Sequence, residues 1–166
     1  MAASGLNQNG DNNRNSTSLS SSEGTSPKPL ILIVEDNQAD VFLIREAIAR
    51  ADVGATVHVI FDGQQAMRFF DAADAGHHRP VPALVLLDLN LPKNNGEEVL
   101  NHLRRSPKCG ATNVLILTSS DSVQDRKAVN ALGARGYFRK PSDYDQFMKL
   151  GSIVRDLLAE VQQSGC

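Results

Sequence analysis

The stretch "LVLLDLNLP", Leu84 to Pro92, combines a nearly unbroken apolar run with a single acid, Asp88. A short, continuous apolar run of this kind is typical of a strand that is buried in a parallel sheet. A carboxylate at the end of such a strand is costly to bury unless a neighbouring group compensates its charge. The stretch therefore predicts a core strand that ends in a functional acid.

Strand and helix patterns alternate along the chain on both sides of this stretch. Besides the strand over 83–88, apolar or β-branched runs predict strands over 30–34, 56–61, 113–119 and 136–140. Apolar residues at helical spacing predict helices over 39–51, 63–75, 96–106 and 122–133, and a last helix that begins near Asp143. This alternation predicts an α/β fold, a doubly wound five-stranded parallel sheet with five helices.

Composition and charge narrow the function classes. With 41 % hydrophobic and 22 % charged residues, the 166 residues suit one globular domain. Residues 1–29 are rich in Ser, Asn and Gly, so we expect a disordered polar leader, followed by a folded domain over 30–162 and a tail over 163–166. The net charge of −2, the lack of a long apolar run and the lack of a signal-peptide pattern predict a cytoplasmic protein with neither nucleic acid nor membrane as partner.

Polar residues stand where the predicted strands end. In a doubly wound sheet the carboxyl ends of the strands share one edge, and ligands bind there near the point where strand order reverses. We therefore expect these side chains to converge on one cleft. The residues are Glu35, Asp36, Asp88, Asn90, Thr118 and Lys140.

The carboxylates of this cleft predict a magnesium site. Three acids held together repel each other, and a hard divalent cation removes that penalty because it prefers oxygen ligands. Neither calcium-loop spacing nor His/Cys ligand spacing occurs in the chain, which argues against other metals. The predicted ligands are Glu35, Asp36, Asp88 and the backbone carbonyl of Asn90.

The same cleft predicts a phosphoryl acceptor. The carboxylate of Asp88 is a competent nucleophile for forming an acyl phosphate. Lys140 is a compact cation that suits a phosphoryl oxygen, and the hydroxyl of Thr118 can donate a hydrogen bond to another. Each residue alone has an ordinary alternative, such as a helix cap for Asp36 or a solvated turn for Lys140. Their combination in strand order favours phosphoryl chemistry.

The segments "ILIVEDN", "LVLLDLNLPKNNG", "VLILTSS" and "GARGYFRKP" resemble, in this order and spacing, the receiver domain of bacterial two-component response regulators. The resemblance covers Leu30 to Val161 and implies the flavodoxin-like receiver fold. It implies that Asp88 is the phosphoacceptor, that Thr118 is the switch hydroxyl and that Lys140 senses the phosphate. Glu35 and Asp36 match the acidic magnesium pair of the family.

The resemblance also implies roles for residues near the cleft. Tyr137 falls on the family's switch aromatic, although a half-buried tyrosine of an edge strand is an alternative reading. Asn90 and Ser120 flank the path of the water that removes the phosphoryl group, and their modest size predicts an intermediate lifetime. In the family the bond before Pro141 is commonly cis.

Features outside the motifs suggest a type of regulator and its partners. Only a helix and "QQSGC" follow the turn after Lys140, so we expect no output domain. The segment "DAADAGHHRPVPA", together with "DLNLPKNNG", is similar to the small stand-alone regulators that partner phytochrome-type histidine kinases. The resemblance implies a phosphorelay signalling protein that catalyses only its own phosphorylation and dephosphorylation, and that passes the signal on through a homodimer or a downstream protein.

Other functions fit part of the pattern. A phosphatase of the haloacid dehalogenase type also uses a strand-end Asp and magnesium, but it carries a second Asp where this chain has Asn90, and its metal pair lies downstream. Turnover of a generic phosphate ester would revive this alternative. A degenerate receiver would fail to label with a small phosphodonor. A dinucleotide-binding enzyme would need a glycine-rich turn in place of "EDNQAD".

Overall fold

The computed structural model describes residues 26–164 and contains one five-stranded sheet in the order β2-β1-β3-β4-β5, with every neighbouring pair parallel. The strands are β1 (Leu30–Val34), β2 (Thr56–Ile60), β3 (Leu84–Asp88), β4 (Asn113–Thr118) and β5 (Gly136–Arg139). The helical segments are α1 (Gln38–Arg50), α2 (Gly63–Asp74), α3 (Gly96–Arg105), α4 (Val123–Ala131), α5 (Tyr144–Met148) and α6 (Leu150–Ser164). Most of the predicted leader and the end of the predicted tail lie outside the described residues.

Two apolar clusters, one on each face of the sheet, form the core. Successive side chains of a strand point to opposite faces, so Leu32 and Val34 join one cluster while Ile31 and Ile33 join the other. Side chains of α2, α3 and α4 cover the first face, and those of α1, α5 and α6 cover the second. Helices on both faces explain why β1 and β3 are continuous apolar runs, and they confirm the predicted doubly wound fold.

The last two helical segments together form the predicted fifth helix. Lys149 alone separates α5 from α6, and its backbone angles stay in the right-handed helical region. Close packing fixes α6 against α1, because a Cβ at Gly151 would lie 2.2 Å from the carbonyl oxygen of Ala47. Within residues 26–164, no helix has both the length and the apolar character needed to cross a membrane.

The strand order places the predicted cleft at the centre of the sheet. The order reverses between β1 and β3, since the chain passes from β1 outward to β2 and then back to β3. Val34 pairs with Leu87 in the register of these strands, so both strands end at the same level. Glu35 directly follows β1 and Asp88 is the last residue of β3, so the two acids come together at the switch point.

Candidate functional site

Three acids meet at the carboxyl ends of β1 and β3. Glu35, Asp36 and Asp88 each offer a carboxylate oxygen, and these oxygens lie within 4.8 Å of one another. Glu35 and Asp88 are buried, whereas Asp36 faces solvent. The set contains oxygen donors only, which fits a hard divalent cation such as Mg²⁺ and a site that retains water ligands on its open side.

Lys140, directly after β5, places its ammonium among the carboxylates. Its Nζ lies 2.5 Å from Oε2 of Glu35, 2.9 Å from Oδ2 of Asp88 and 2.9 Å from Oδ2 of Asp40. The backbone N–H of Lys140 donates to the carbonyl oxygen of Thr118 at 2.8 Å, which fixes the exit of β5 beside β4. The structure thus brings Lys140 together with two predicted metal ligands and one further acid.

Burial and pairing shift the proton affinities of this cluster. Burial raises the pKa of Glu35 to about 7, against the opposing hydrogen bonds from Lys140 and from the backbone N–H of Asn37. Burial by itself lowers the pKa of Lys140, but hydrogen bonds to Glu35, Asp88 and Asp40 more than offset this effect, so the pKa lies above its ordinary value. The lysine therefore stays charged and acts as the resident cation of the cleft.

Asp40 also belongs to this cluster, although it is not among the polar residues at the strand ends. The side chain of Asn37 caps α1 by accepting hydrogen bonds from the backbone N–H groups of Ala39 and Asp40. The cap places Asp40 in the first turn of α1, and there its carboxylate reaches Nζ of Lys140. The sequence carries only a weak signal for this role, because an acid in the first turn of a helix is common.

The loop after β3 is held tightly against Asp88. The backbone N–H of Asn90 donates to Oδ1 of Asp88 at 2.9 Å, and the N–H of Gly96 donates to the carbonyl oxygen of Leu89 at 2.9 Å. A Cβ at Gly96 would lie 2.4 Å from the carbonyl oxygen of Asp88, so only glycine allows this approach. Asn90 is therefore fixed beside the acid, and the role of its carbonyl as a metal ligand stays a prediction.

The predicted switch residues form a second, connected group along β4 and β5. Thr118 is fully buried, and its Oγ1 accepts the backbone N–H of Ser120 at 3.1 Å. The hydroxyl of Tyr137 donates to the carbonyl oxygen of Ser120 at 2.9 Å, and the guanidinium of Arg126 lies 4.6 Å from the centre of the Tyr137 ring. Among residues 26–164, no hydrogen bond joins this group to the clustered carboxylates Glu35, Asp36, Asp40 and Asp88. Their roles in switching stay predictions.

One expectation drawn from the resemblance is wrong for this structure. The bond between Lys140 and Pro141 is trans, as is every peptide bond among residues 26–164. The trans form is the intrinsically favoured one even before proline.

Comparison with known proteins agrees with this geometry. A family model described as the response regulator receiver domain matches residues 31–150. The response regulator Rcp1 of Synechocystis sp. is 33 % identical over 129 residues, which cover 78 % of this chain and 88 % of Rcp1.

Two solved structures share the architecture. The phosphorylated cyanobacterial phytochrome response regulator RcpA superposes with a TM-score of 0.74 at 32 % identity, and the match covers 81 % of this chain and 96 % of that one. The Mn²⁺-bound form of Rcp1 gives a TM-score of 0.69 at 34 % identity, and covers 76 % of this chain and 91 % of that one. Fold, acidic cluster and family match together show that the chain belongs to the response regulator receiver family.

Proposed function

We propose that Asp88 accepts a phosphoryl group from a phosphohistidine of a histidine kinase, with Mg²⁺ held by Glu35, Asp36, Asp88 and the backbone carbonyl of Asn90. The observation that carries the proposal is the environment of Asp88. Its buried carboxylate ends an apolar strand, lies 2.9 Å from the ammonium of Lys140 and belongs to an oxygen cluster suited to a divalent cation. A purely structural acid would not need both a metal-competent cluster and a lysine.

The transfer step balances without a further reagent. A carboxylate oxygen of Asp88 attacks the phosphorus atom, and the P–N bond to the kinase histidine breaks. The bonding pair returns to the imidazole, which regains a proton from water. Bound Mg²⁺ would neutralise charge on the transferring group. Lys140 contributes a fixed positive charge, and the N–H of Asn90 orients the attacking carboxylate through Oδ1.

Water attacks the phosphorus atom and removes the phosphoryl group, which returns the protein to its unphosphorylated state. We place Asn90 and Ser120 beside the path of this water. Asn90 is exposed, and the hydroxyl of Ser120 contacts Oδ2 of Asp125 at 3.3 Å. Neither side chain is bulky or strongly basic, so we expect an intermediate lifetime that the site itself sets.

The signal passes from Asp88 to the face formed by α4, β5 and the α5–α6 helix. Thr118 moves toward the phosphoryl group, and the Ser120 loop and Tyr137 follow because hydrogen bonds already connect them. The change alters self-association or the binding of a downstream protein, which must prefer one of the two states. Light scattering on phosphorylated and unphosphorylated protein measures the first outcome directly.

The proposed kinase partner is of the phytochrome type. Support comes from RcpA, whose structure is described as that of a phytochrome response regulator. The protein acts in the cytoplasm, where a kinase takes its phosphoryl group from ATP. It catalyses only its own phosphorylation and dephosphorylation.

Labelling with a small phosphodonor tests the proposal. Acetyl phosphate and Mg²⁺ should add one phosphoryl group to the intact protein, as read by mass spectrometry, and a metal chelator should suppress the addition. Asp88→Asn should abolish labelling, whereas Asp156→Asn, at an exposed position on α6, should label like the wild type. Equal labelling of Asp88→Asn would refute the assignment, and turnover of p-nitrophenyl phosphate would favour a phosphatase.

A further inference from the structure

Lys140 already has a carboxylate for each of its donor hydrogens. An ammonium group has three N–H bonds and no acceptor. In the structure the three acceptors are Glu35, Asp40 and Asp88, at 2.5 to 2.9 Å. When Asp88 is phosphorylated, a phosphoryl oxygen must therefore displace one of the three carboxylates from Lys140 or share the charge of Lys140 with all three.

Accessibility decides which carboxylate is released. The exposed fraction of the side chain is 24 % for Asp40 but only 1 % for Glu35. Glu35 is also held through Oε1 by the backbone N–H of Asn37 at 3.0 Å. A buried carboxylate that loses its partner stays unsatisfied, whereas one at the edge of the cleft is taken up by water. Asp40 is thus the partner whose release costs least.

Charge gives a second reason for the release of Asp40. If the phosphoryl oxygen took over only the hydrogen bond of Asp88, Asp40 would remain on Lys140 beside a phosphoryl dianion. Like charges that close together destabilise each other. Moving the Asp40 carboxylate into water removes this repulsion and leaves an N–H of Lys140 for the new anion.

We infer that Asp40 is a positioning residue that holds Lys140 before phosphorylation and gives it up to the phosphoryl group afterwards. This inference rests on the proposed function, with Asp88 as the phosphoacceptor. Competition between Asp40 and the phosphoryl group for Lys140 limits how much of the protein is phosphorylated at a given donor concentration. Removing the charge of Asp40 therefore favours the phosphorylated state.

The first test is a titration with acetyl phosphate at fixed Mg²⁺. A partly exposed ion pair contributes about 0.2–1 kcal/mol, so Asp40→Asn should lower the donor concentration for half-maximal phosphorylation about 1.5- to 5-fold. Asp40→Ala removes the acceptor as well as the charge and should change it in the same direction. Glu46→Gln is the matched control, because Glu46 lies on the same helix and pairs with Arg50 and Tyr144 instead of Lys140.

The second test reads Lys140 directly, by the ¹⁵N resonance of its Nζ. Before phosphorylation this resonance should differ between the wild type and Asp40→Ala, since Asp40 contacts Nζ only in the wild type. After phosphorylation the two resonances should coincide, because Asp40 has left Lys140 in both proteins. A merely structural role of Asp40 would leave the difference unchanged.

The outcomes separate the two proposals. Suppose that the wild type labels at Asp88, that Asp40→Asn leaves the half-maximal donor concentration unchanged, and that the difference in the Lys140 resonance persists after phosphorylation. The role of Asp40 is then refuted and the proposed function stands. If the wild type does not label at Asp88, both are refuted.

Discussion

Replacing Lys140 with methionine should destabilise the metal-free protein strongly. Methionine keeps most of the side-chain length but removes the cation that lies within 2.9 Å of three carboxylates. The side chains of Glu35 and Asp88 are only 1 % and 7 % exposed, so water cannot replace the lost charge. Removing one partner of a buried ion pair typically costs about 3–5 kcal/mol. For a domain of this size that corresponds to a fall in Tm of about 10–15 °C.

Thermal melts in buffer with a metal chelator, followed by circular dichroism, measure this effect. Lys127→Met is the matched control, because Lys127 is exposed on α4 and its replacement should change the free energy of unfolding by less than about 0.5 kcal/mol. Adding Mg²⁺ should raise the Tm of Lys140→Met more than that of the wild type, since the ion supplies the missing positive charge to the same carboxylates.

The result that would refute this reasoning is specific. If Lys140→Met melts within about 2 °C of the wild type without metal, Lys140 does not neutralise the buried carboxylates. If Mg²⁺ stabilises both proteins equally, the lysine and the metal do not act on one cluster.

Three further perturbations probe separate parts of the site. Burial raises the pKa of Glu35 from 4.5 to about 7, so the folded state binds this proton more tightly than the unfolded state does. As the pH rises from 4.5 to 7, the free energy of unfolding of the metal-free wild type, measured by urea denaturation, should fall by about 2–3 kcal/mol relative to that of Glu35→Gln. If the free energies of unfolding of the two proteins change in parallel with pH, this prediction is wrong. Gly96→Ala should lower the free energy of unfolding by about 1–3 kcal/mol, because the new Cβ pushes the loop away from Asp88. Gly54→Ala, with open space around it, should leave the free energy of unfolding nearly unchanged in the same measurement. An equal loss of stability in both variants would contradict the packing argument. Asn90→Met should slow phosphoryl loss from prephosphorylated protein by crowding the path of water, and an unchanged or faster release of phosphate would show that Asn90 does not control hydrolysis.

The fold could be predicted because its decisive features are local. The runs over β1 and β3 are continuously apolar because helices cover both faces of the sheet, so their pattern alone indicates a central parallel strand. Once the strands are parallel, their ends share one edge, and the meeting of Glu35, Asp36 and Asp88 follows from connectivity.

Features that depend on tertiary contacts could not be predicted in this way. Asp40 lies 100 positions before Lys140 in the chain, and on the helix it looks like an ordinary polar first-turn residue. Arg104 looks like a solvated arginine near a helix end, yet its guanidinium donates to four carbonyl oxygens of neighbouring segments, and burial lowers its pKa. These acceptors belong to Gly110, Thr112, Leu132 and Gly133. Such contacts depend on where loops and helix ends meet, which hydropathy does not encode.

The central claim is that the phosphoryl group is carried by Asp88, and chemical trapping tests it most directly. Borohydride reduces an acyl phosphate of aspartate to homoserine, which marks the modified position permanently for peptide sequencing by mass spectrometry. After phosphorylation with Mg²⁺ and reduction, we predict homoserine at position 88 and unmodified acids at positions 36 and 40. Homoserine at either of those positions, with position 88 unmodified, would contradict the account.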